Sequence, residues 1–403
     1  MRLFCLSVLL ACSSCSWSSS SSLGEGVVEV ATTHPQEGLD WRPLLEKDSI
    51  GGLRDWRQVN CAAKTFAFVK DESGAEVLEC SGHPTGVLRS AEVYDNFVCD
   101  FEWRHFDCKG MEANAGFFIW SDALPALGEP FTRSIEMQIC NFDHNTDWYS
   151  RHGDVFAIHG SRMTPDPRFA MWRRGQRSLP LEFRAKPTGQ WNHYRVTAID
   201  GVIQLEVNGK LVSGGYQASP RQGHLMLESE GGRVQFRKMK VLRLPADPRG
   251  LAPAEQATTL AAEIRVKPMF DGALDDWDHI EGWQAADWQL TAKEGAMAMS
   301  RSLPVGSGSL RLDFKLSAKG GALPFQIAGL VGWPREFPVS SGWHRAEIQF
   351  RLGGDWELQV DGKSVAWGHE PAGARLLALM PSPGINYSSL LWIQAKEAPV
   401  AAP

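Results

Sequence analysis

The chain has 403 residues, 43% of them hydrophobic and 22% charged, with a formal net charge of −6. It can bury large cores in two or three domains, which excludes a chain disordered as a whole. No basic block of the kind that grips nucleic acid occurs, so no such partner is expected. The 16 Trp, 5 Tyr and 39 Gly, with many short alternating runs, fit a β-sandwich, and an exposed Trp is a surface on which sugar rings stack.

The chain opens with Arg2, an apolar stretch from Leu3 to Ala11, and Cys12. That stretch is too short to span a bilayer as a helix. Leu9-Leu10-Ala11-Cys12 resembles a bacterial lipobox, which implies cleavage before Cys12 and its lipidation, with the Ser-rich run to Ser22 as a flexible tether. Residues 1–22 are thus expected to be a lipoprotein signal and tether, giving an exported protein that meets the membrane through its lipid anchor only. An ordinary signal peptide cut near Ser18–Leu23 is the alternative. Beyond this region stand Cys61, Cys80, Cys99, Cys108 and Cys140, without CxxC or zinc spacing. No cofactor is called for, and a divalent metal stays open. Export permits a bridge such as Cys61 to Cys80, which the sequence does not assign. Cys99 alternates with Phe97 and Phe101 and reads as a buried thiol.

Three strands then alternate with period two. In residues 96–106, Phe97, Cys99, Phe101 and Trp103 form one face, and Asp100, Glu102 and Arg104 the other. In 114–120, burying Ala115, Phe117 and Ile119 leaves Asn114, Phe118 and Trp120 opposite. In 133–142, Ile135, Met137 and Ile139 oppose Glu136 and Gln138. Residues 141–163 gather Asp143, His144, Asp147, His152, Asp154 and His159 around a Gly-bearing loop. Such a density suits a metal, but no spacing is diagnostic, so a polar loop over a site is favoured. His159 ends a strand and is expected to point into the site. Trp191 reads as core.

Residues 191–212 and 343–365 echo each other: a Trp, a strand, a Gly turn, a second strand, then Asn/Asp-Gly-Lys. The Pro/Ala-rich stretch 246–263 reads as a linker, with a helical piece near Glu255–Arg265. The expected fold is all-β, two antiparallel sandwiches at 41–245 and 264–398. The second half has no counterpart of Ile-Glu-Met-Gln-Ile and is expected to be a degenerate copy without a site.

"FEWRHF", "NAGFFIW", "SIEMQICNF", "GQWNHYRVTAIDGVIQLEVNGKLV" and "GGRVQFRKMKVLRL" follow the order of the 3-keto-disaccharide hydrolase-like domain, which residues 41–245 resemble. The resemblance implies tandem concanavalin-like jelly rolls and a carbohydrate ligand. The family's Leu-Gln near the end is here Leu227-Glu228, its Asn-Ser-Gly is Asn114-Ala115-Gly116, and its basic residue after that strand is Trp120. If the three strands share a sheet, one face carries Glu102, Arg104, Asn114, Trp120, Glu136 and Gln138, a set suited to a polyhydroxylated ligand. Glu136 is then the expected catalytic acid or base, with Glu102 and Arg104 as second carboxylate and cation. Gln138, Asn114, Trp120 and His159 would bind substrate. Glu102 and Arg104 could equally be a plain ion pair, worth about 0–1 kcal/mol on a surface. Paired-carboxylate hydrolysis and proton abstraction beside a C3 ketone both fit these residues. So do a non-catalytic carbohydrate-binding protein and a structural surface protein.

Lipidation at Cys12 has a direct test. Fatty-acid probe should label the parent and not Cys12→Ser; equal labelling of both would refute the anchor.

Overall fold

The structure is a computed structural model that describes residues 40–106, 113–140, 152–172, 177–245, 256–317, 322–334, 340–370, 373–382 and 384–395. The Cys12 signal, Cys108, Asp143, His144 and Asp147 lie outside these residues.

Every pairing among the described strands is antiparallel, and the strands form two sandwiches. The first is built from a nine-stranded and a seven-stranded sheet. Phe97–His105 is central in the larger sheet, between Asn192–Ile199 and Val234–Arg243. Asn114–Ser121 is central in the smaller, between Ser134–Cys140 and Gly223–Ser229. Alternation places the apolar spines as expected. Phe97, Cys99, Phe101 and Trp103 face Phe117, Ile119, Ile135, Met137 and Ile139 across one core. Phe101 is its hub, with ring centroids 5.0 Å from Phe117 and 5.7 Å from Tyr194. The Tyr194 hydroxyl crosses the core and donates to the Gln138 carbonyl at 2.7 Å. Cys61, Cys80 and Cys99 are buried thiols without a disulfide.

The second sandwich repeats the plan in reduced form. Its eight-stranded sheet contains Gly308–Leu316 beside Gly342–Phe350, followed by Asp355–Val360 and Lys363–His369. This is the order of Phe97–His105, Asn192–Ile199, Val202–Val207 and Lys210–Ser219, so the sequence echo is one meander at one place in both halves. Its Asn/Asp-Gly turns have the left-handed pairs that tight hairpins need: Asn208 and Gly209 at φ 49° and 79°, Asp361 and Gly362 at 50° and 74°. The facing sheet has three strands, Met299–Ser302, Phe325–Ala328 and Leu376–Leu379.

Three expectations change here. Gln256–Arg265 holds no helix; it lies along the first sandwich and closes one turn, where Ile264 N donates to Ala261 O at 3.0 Å. Ala257 N donates to Gln222 O, Thr258 N to Asp122, and Arg57 Nε to Ala262 O. Peptide groups not bonded within a helix are free to pair with the sandwich, which a helix bonding internally would not allow. Trp191 is not core: it lies on the outer face between the guanidiniums of Arg104 and Arg237, 4.5 and 3.9 Å from its ring. His152 does not stand in a loop over the site but packs at the rim of the core, stacked on Trp103 at 5.7 Å, and burial of its ring lowers its pKa to about 3.

Because Phe101 joins both sheets, Phe101→Ala should cost about 3–5 kcal/mol. Denaturant unfolding would measure it; a loss below about 1 kcal/mol would mean the core closes without this ring.

Candidate functional site

The outward face of the seven-stranded sheet carries the acids. Gln138 pairs with Gly116 and Glu136 with Phe118, while Met226 on the other side also pairs with Phe118. Glu228 therefore stands across Gly116 from Gln138. Asn114 bridges to Glu230. Its amide donates to a Glu230 carboxylate oxygen and accepts from the Gln138 side-chain amide.

Gly116 makes room for the pair. A Cβ there would come within 2.8 Å of Glu136 Oε1, 2.8 Å of Glu228 Oε2 and 2.7 Å of the Phe118 ring. The two carboxyl oxygens are thus at most twice 2.8 Å apart. Glu136 is 5% and Glu228 1% exposed, and Glu228 Oε2 has no hydrogen-bond partner. Water cannot screen such a pair, so burial and like charge favour the protonated forms. Burial pushes Glu136 well above the ordinary carboxylate range; Glu230 and Asp154 add to this and Arg177 opposes it. Burial raises Glu228 likewise, with Glu136, Glu230 and Cys80 adding and no cation among the described residues opposing. Burial and Asp287 push Glu230 to about 7, against its hydrogen bond from Asn114. Arg177 is itself held by Asp154 at 2.8 Å and lies 3.5 Å over Phe156, which pairs with Glu136. Among the described residues no group of three or more His, Cys, Asp or Glu is set to hold a metal ion.

Asn114, Glu136 and Gln138 do share one face. Glu102 and Arg104 do not share it: their strand belongs to the nine-stranded sheet, whose outer face looks the opposite way. There Glu102 pairs with Arg237 and Lys238, and Arg104 with Glu72 and Gln235. Period-two alternation gives the face of a strand and not its sheet. Trp120 also leaves the face. Its φ of 52° reverses the alternation after Ile119, its side chain enters the core, and its indole N–H donates to Asp95 O at 2.8 Å. Gly223 permits this, since a Cβ there would lie 2.4 Å from the Trp120 backbone. His159, at φ 48°, packs its ring 6.3 Å from Phe131 in the loop bordering the site. The sequence reading passed over Glu228, Glu230 and Arg177. Glu228 was visible only as the departure at Leu227-Glu228, and Arg177 had no signal beyond an Arg in a basic run.

The first sandwich belongs to a carbohydrate-active, glycosyl hydrolase-like class of domain. Residues 40–242 match the model of the 3-keto-alpha-glucoside-1,2-lyase-like domain, and the chain belongs to that family. Among solved structures, the chain is similar to a candidate glycosyl hydrolase from Parabacteroides distasonis, with 19% identity, 51% of this chain and 94% of that chain covered, and a TM-score of 0.36. It is also similar to a carbohydrate binding module from Bacillus subtilis (12%, 47% and 95% covered, TM-score 0.32) and to the Bacillus licheniformis beta-glucanase (12%, 52% and 100%, 0.33). No curated protein matches the chain.

The acid pair has a stability signature. A folded-state pKa raised above the unfolded value means that stability is complete below about pH 4.3 and falls as pH rises through the folded pKa. Glu228→Gln mimics the protonated acid and should be more stable than the parent at pH 8, measured by denaturant unfolding. The gap should close towards pH 4. A gap that is absent at pH 8 would show that Glu228 ionises freely.

Proposed function

We propose that the Glu136–Glu228 pair cleaves the glycosidic bond of 3-keto-glycosides by elimination. The observation that carries this reading is the convergence of both buried carboxyl oxygens on the space above Gly116. Arg177, held over Phe156 beside Glu136, offers a cation to the Glu136 carboxylate, and Glu136 is therefore assigned as the base. It takes the C2 proton, which the neighbouring ketone acidifies. The C2–H electrons form the enolate, collapse to a C1–C2 double bond and expel the C1 oxygen. Glu228 gives its proton to that oxygen, and the enone and the released alcohol leave. Water can then add to the enone to complete a net hydrolysis. Gln138 and Asn114 offer amides to sugar hydroxyls. A lipid anchor on Cys12 would hold the protein where oligosaccharides reach an exported enzyme.

Reducing-sugar release should be measured on 3-keto and ordinary disaccharides. The parent should act on the keto sugars, and Glu136→Gln should lose about 10²–10⁴-fold in turnover while keeping its fold and most of its affinity. Turnover unchanged in a folded Glu136→Gln would overturn the assignment; sugar binding without turnover by the parent would make the domain a binding module.

A further inference from the structure

The acid site has a wall. The loop between the strands Asn114–Ser121 and Ser134–Cys140 folds back over the sheet's outer face. Its Leu124 and Phe131 pack on an apolar cluster of Val59, Val87, Phe118 and Met226. Phe131 meets Phe118 edge-on at 6.0 Å, and Phe118 is the ring that touches the space between the two acids. The opposite side of this loop belongs to the second sandwich. Pro125 O accepts from Arg311 Nη2 at 2.9 Å and Arg345 Nη2 at 3.2 Å. Gly128 N donates to Asp313 Oδ2 at 2.9 Å, and Arg345 closes a two-pronged pair on Asp313 at 2.7 and 2.8 Å. Asp313 is fully buried. Gly128, at φ +72°, lies against Trp343, where a Cβ would meet the indole at 2.6 Å. A second contact sits nearby: Asp287, in the turn between Trp283–Ala286 and Gln289–Ala292, accepts from Thr85 N at 2.8 Å and acts electrostatically on Glu230.

We infer that the second sandwich is a positioning part of the acid site, gripping from outside the loop that walls the Glu136–Glu228 pair and setting the Asp287 turn towards Glu230. The inference deepens the acid–base reading above and rests on it for its kinetic consequence. The grip keeps the wall seated, and the seated wall keeps water from the acids. Desolvation is the first cause of all three raised carboxyls, so loosening the wall should let them ionise at lower pH. The charged and titratable groups around them are Arg177, Asp154 and Cys80 from the first sandwich and Asp287 from the second.

The test uses the full chain with carbon-13-labelled glutamate, so that carboxyl titration is read whether or not a substrate turns over. In Asp313→Ala, amide exchange across residues 122–132 should quicken at least tenfold, and the raised carboxyl titrations should move towards the ordinary range. On a turned-over sugar the low-pH limb of kcat/KM should move the same way, with KM rising more than kcat falls. Asp287→Asn removes a neighbouring negative charge and keeps an acceptor for Thr85, so Glu230 should titrate below about 7 while the loop stays protected. A folded Asp313→Ala with parental exchange and titration would overturn the inference. If Asp313→Ala does not fold, Asp287→Asn decides: a parental Glu230 titration overturns it and a lowered one supports it. Shifted titrations without turnover in the parent would uphold the grip while removing the catalytic reading.

Discussion

Two carboxyls buried side by side cannot both carry charge, and the organisation of the first sandwich follows from that constraint. The pair needs a small residue between its members, and Gly116 is that residue. It needs strands that cannot rotate beneath it. The Ile135–Met137–Ile139 spine and the Tyr194 hydroxyl bond supply this from the core side. It also needs asymmetry, because two identical acids would have no assigned roles. Among the described residues Arg177 provides it, since it acts on Glu136 and no described cation acts on Glu228. Environments that push like groups apart are how one site obtains an acid and a base near neutral pH.

Much of this was legible in the residues. The alternation in 133–142 put Glu136 and Gln138 on one face, and the repeated Asn/Asp-Gly hairpins exposed the duplicated meander. What stayed hidden was of two kinds. One was sheet membership: Glu102 and Arg104 alternate as cleanly as Glu136 and Gln138, but the strand they occupy joins the opposite sheet through long-range pairing. The other was backbone hand. Trp120 leaves its expected face because a single positive φ reverses the pleat, and the missing side chain of Gly223, far off in sequence, makes room for it. Glu228 was legible in principle. A carboxylate at an amide position of a family motif adds a charge, and a charge facing Glu136 has to be neutralised by a proton.

The reduced second half is the other thing the residues announced without explaining. Its missing strands were expected to mean a scaffold without a site. The three-stranded sheet agrees with the loss, but the outer face of the larger sheet has a different use. Arg311, Asp313 and Arg345 occupy the strands equivalent to those of Asp100, Glu102 and Arg195 in the first half, where the buried Asp100 and the half-buried Glu102 are held by cations of their own sheet. In the second half the same kind of face is buried against a loop.

Burial changes what such an ion pair requires. Taking Asp313 out of water costs several kcal/mol, and the attraction of the half-buried Arg345 offsets this only when the remaining donors and acceptors are also satisfied. The first sandwich supplies those partners from its backbone, the Gly128 N–H for the carboxylate and the Pro125 carbonyl for the guanidinium. Backbone groups cannot change with side-chain substitution, so the match depends on the shape of the loop and not on its residue types. The loop is therefore selected for one conformation by the charges outside it and by Phe118 and Met226 inside it. A loop held on both faces is a rigid wall, and a rigid wall is what allows water to be kept from two acids that would otherwise both ionise.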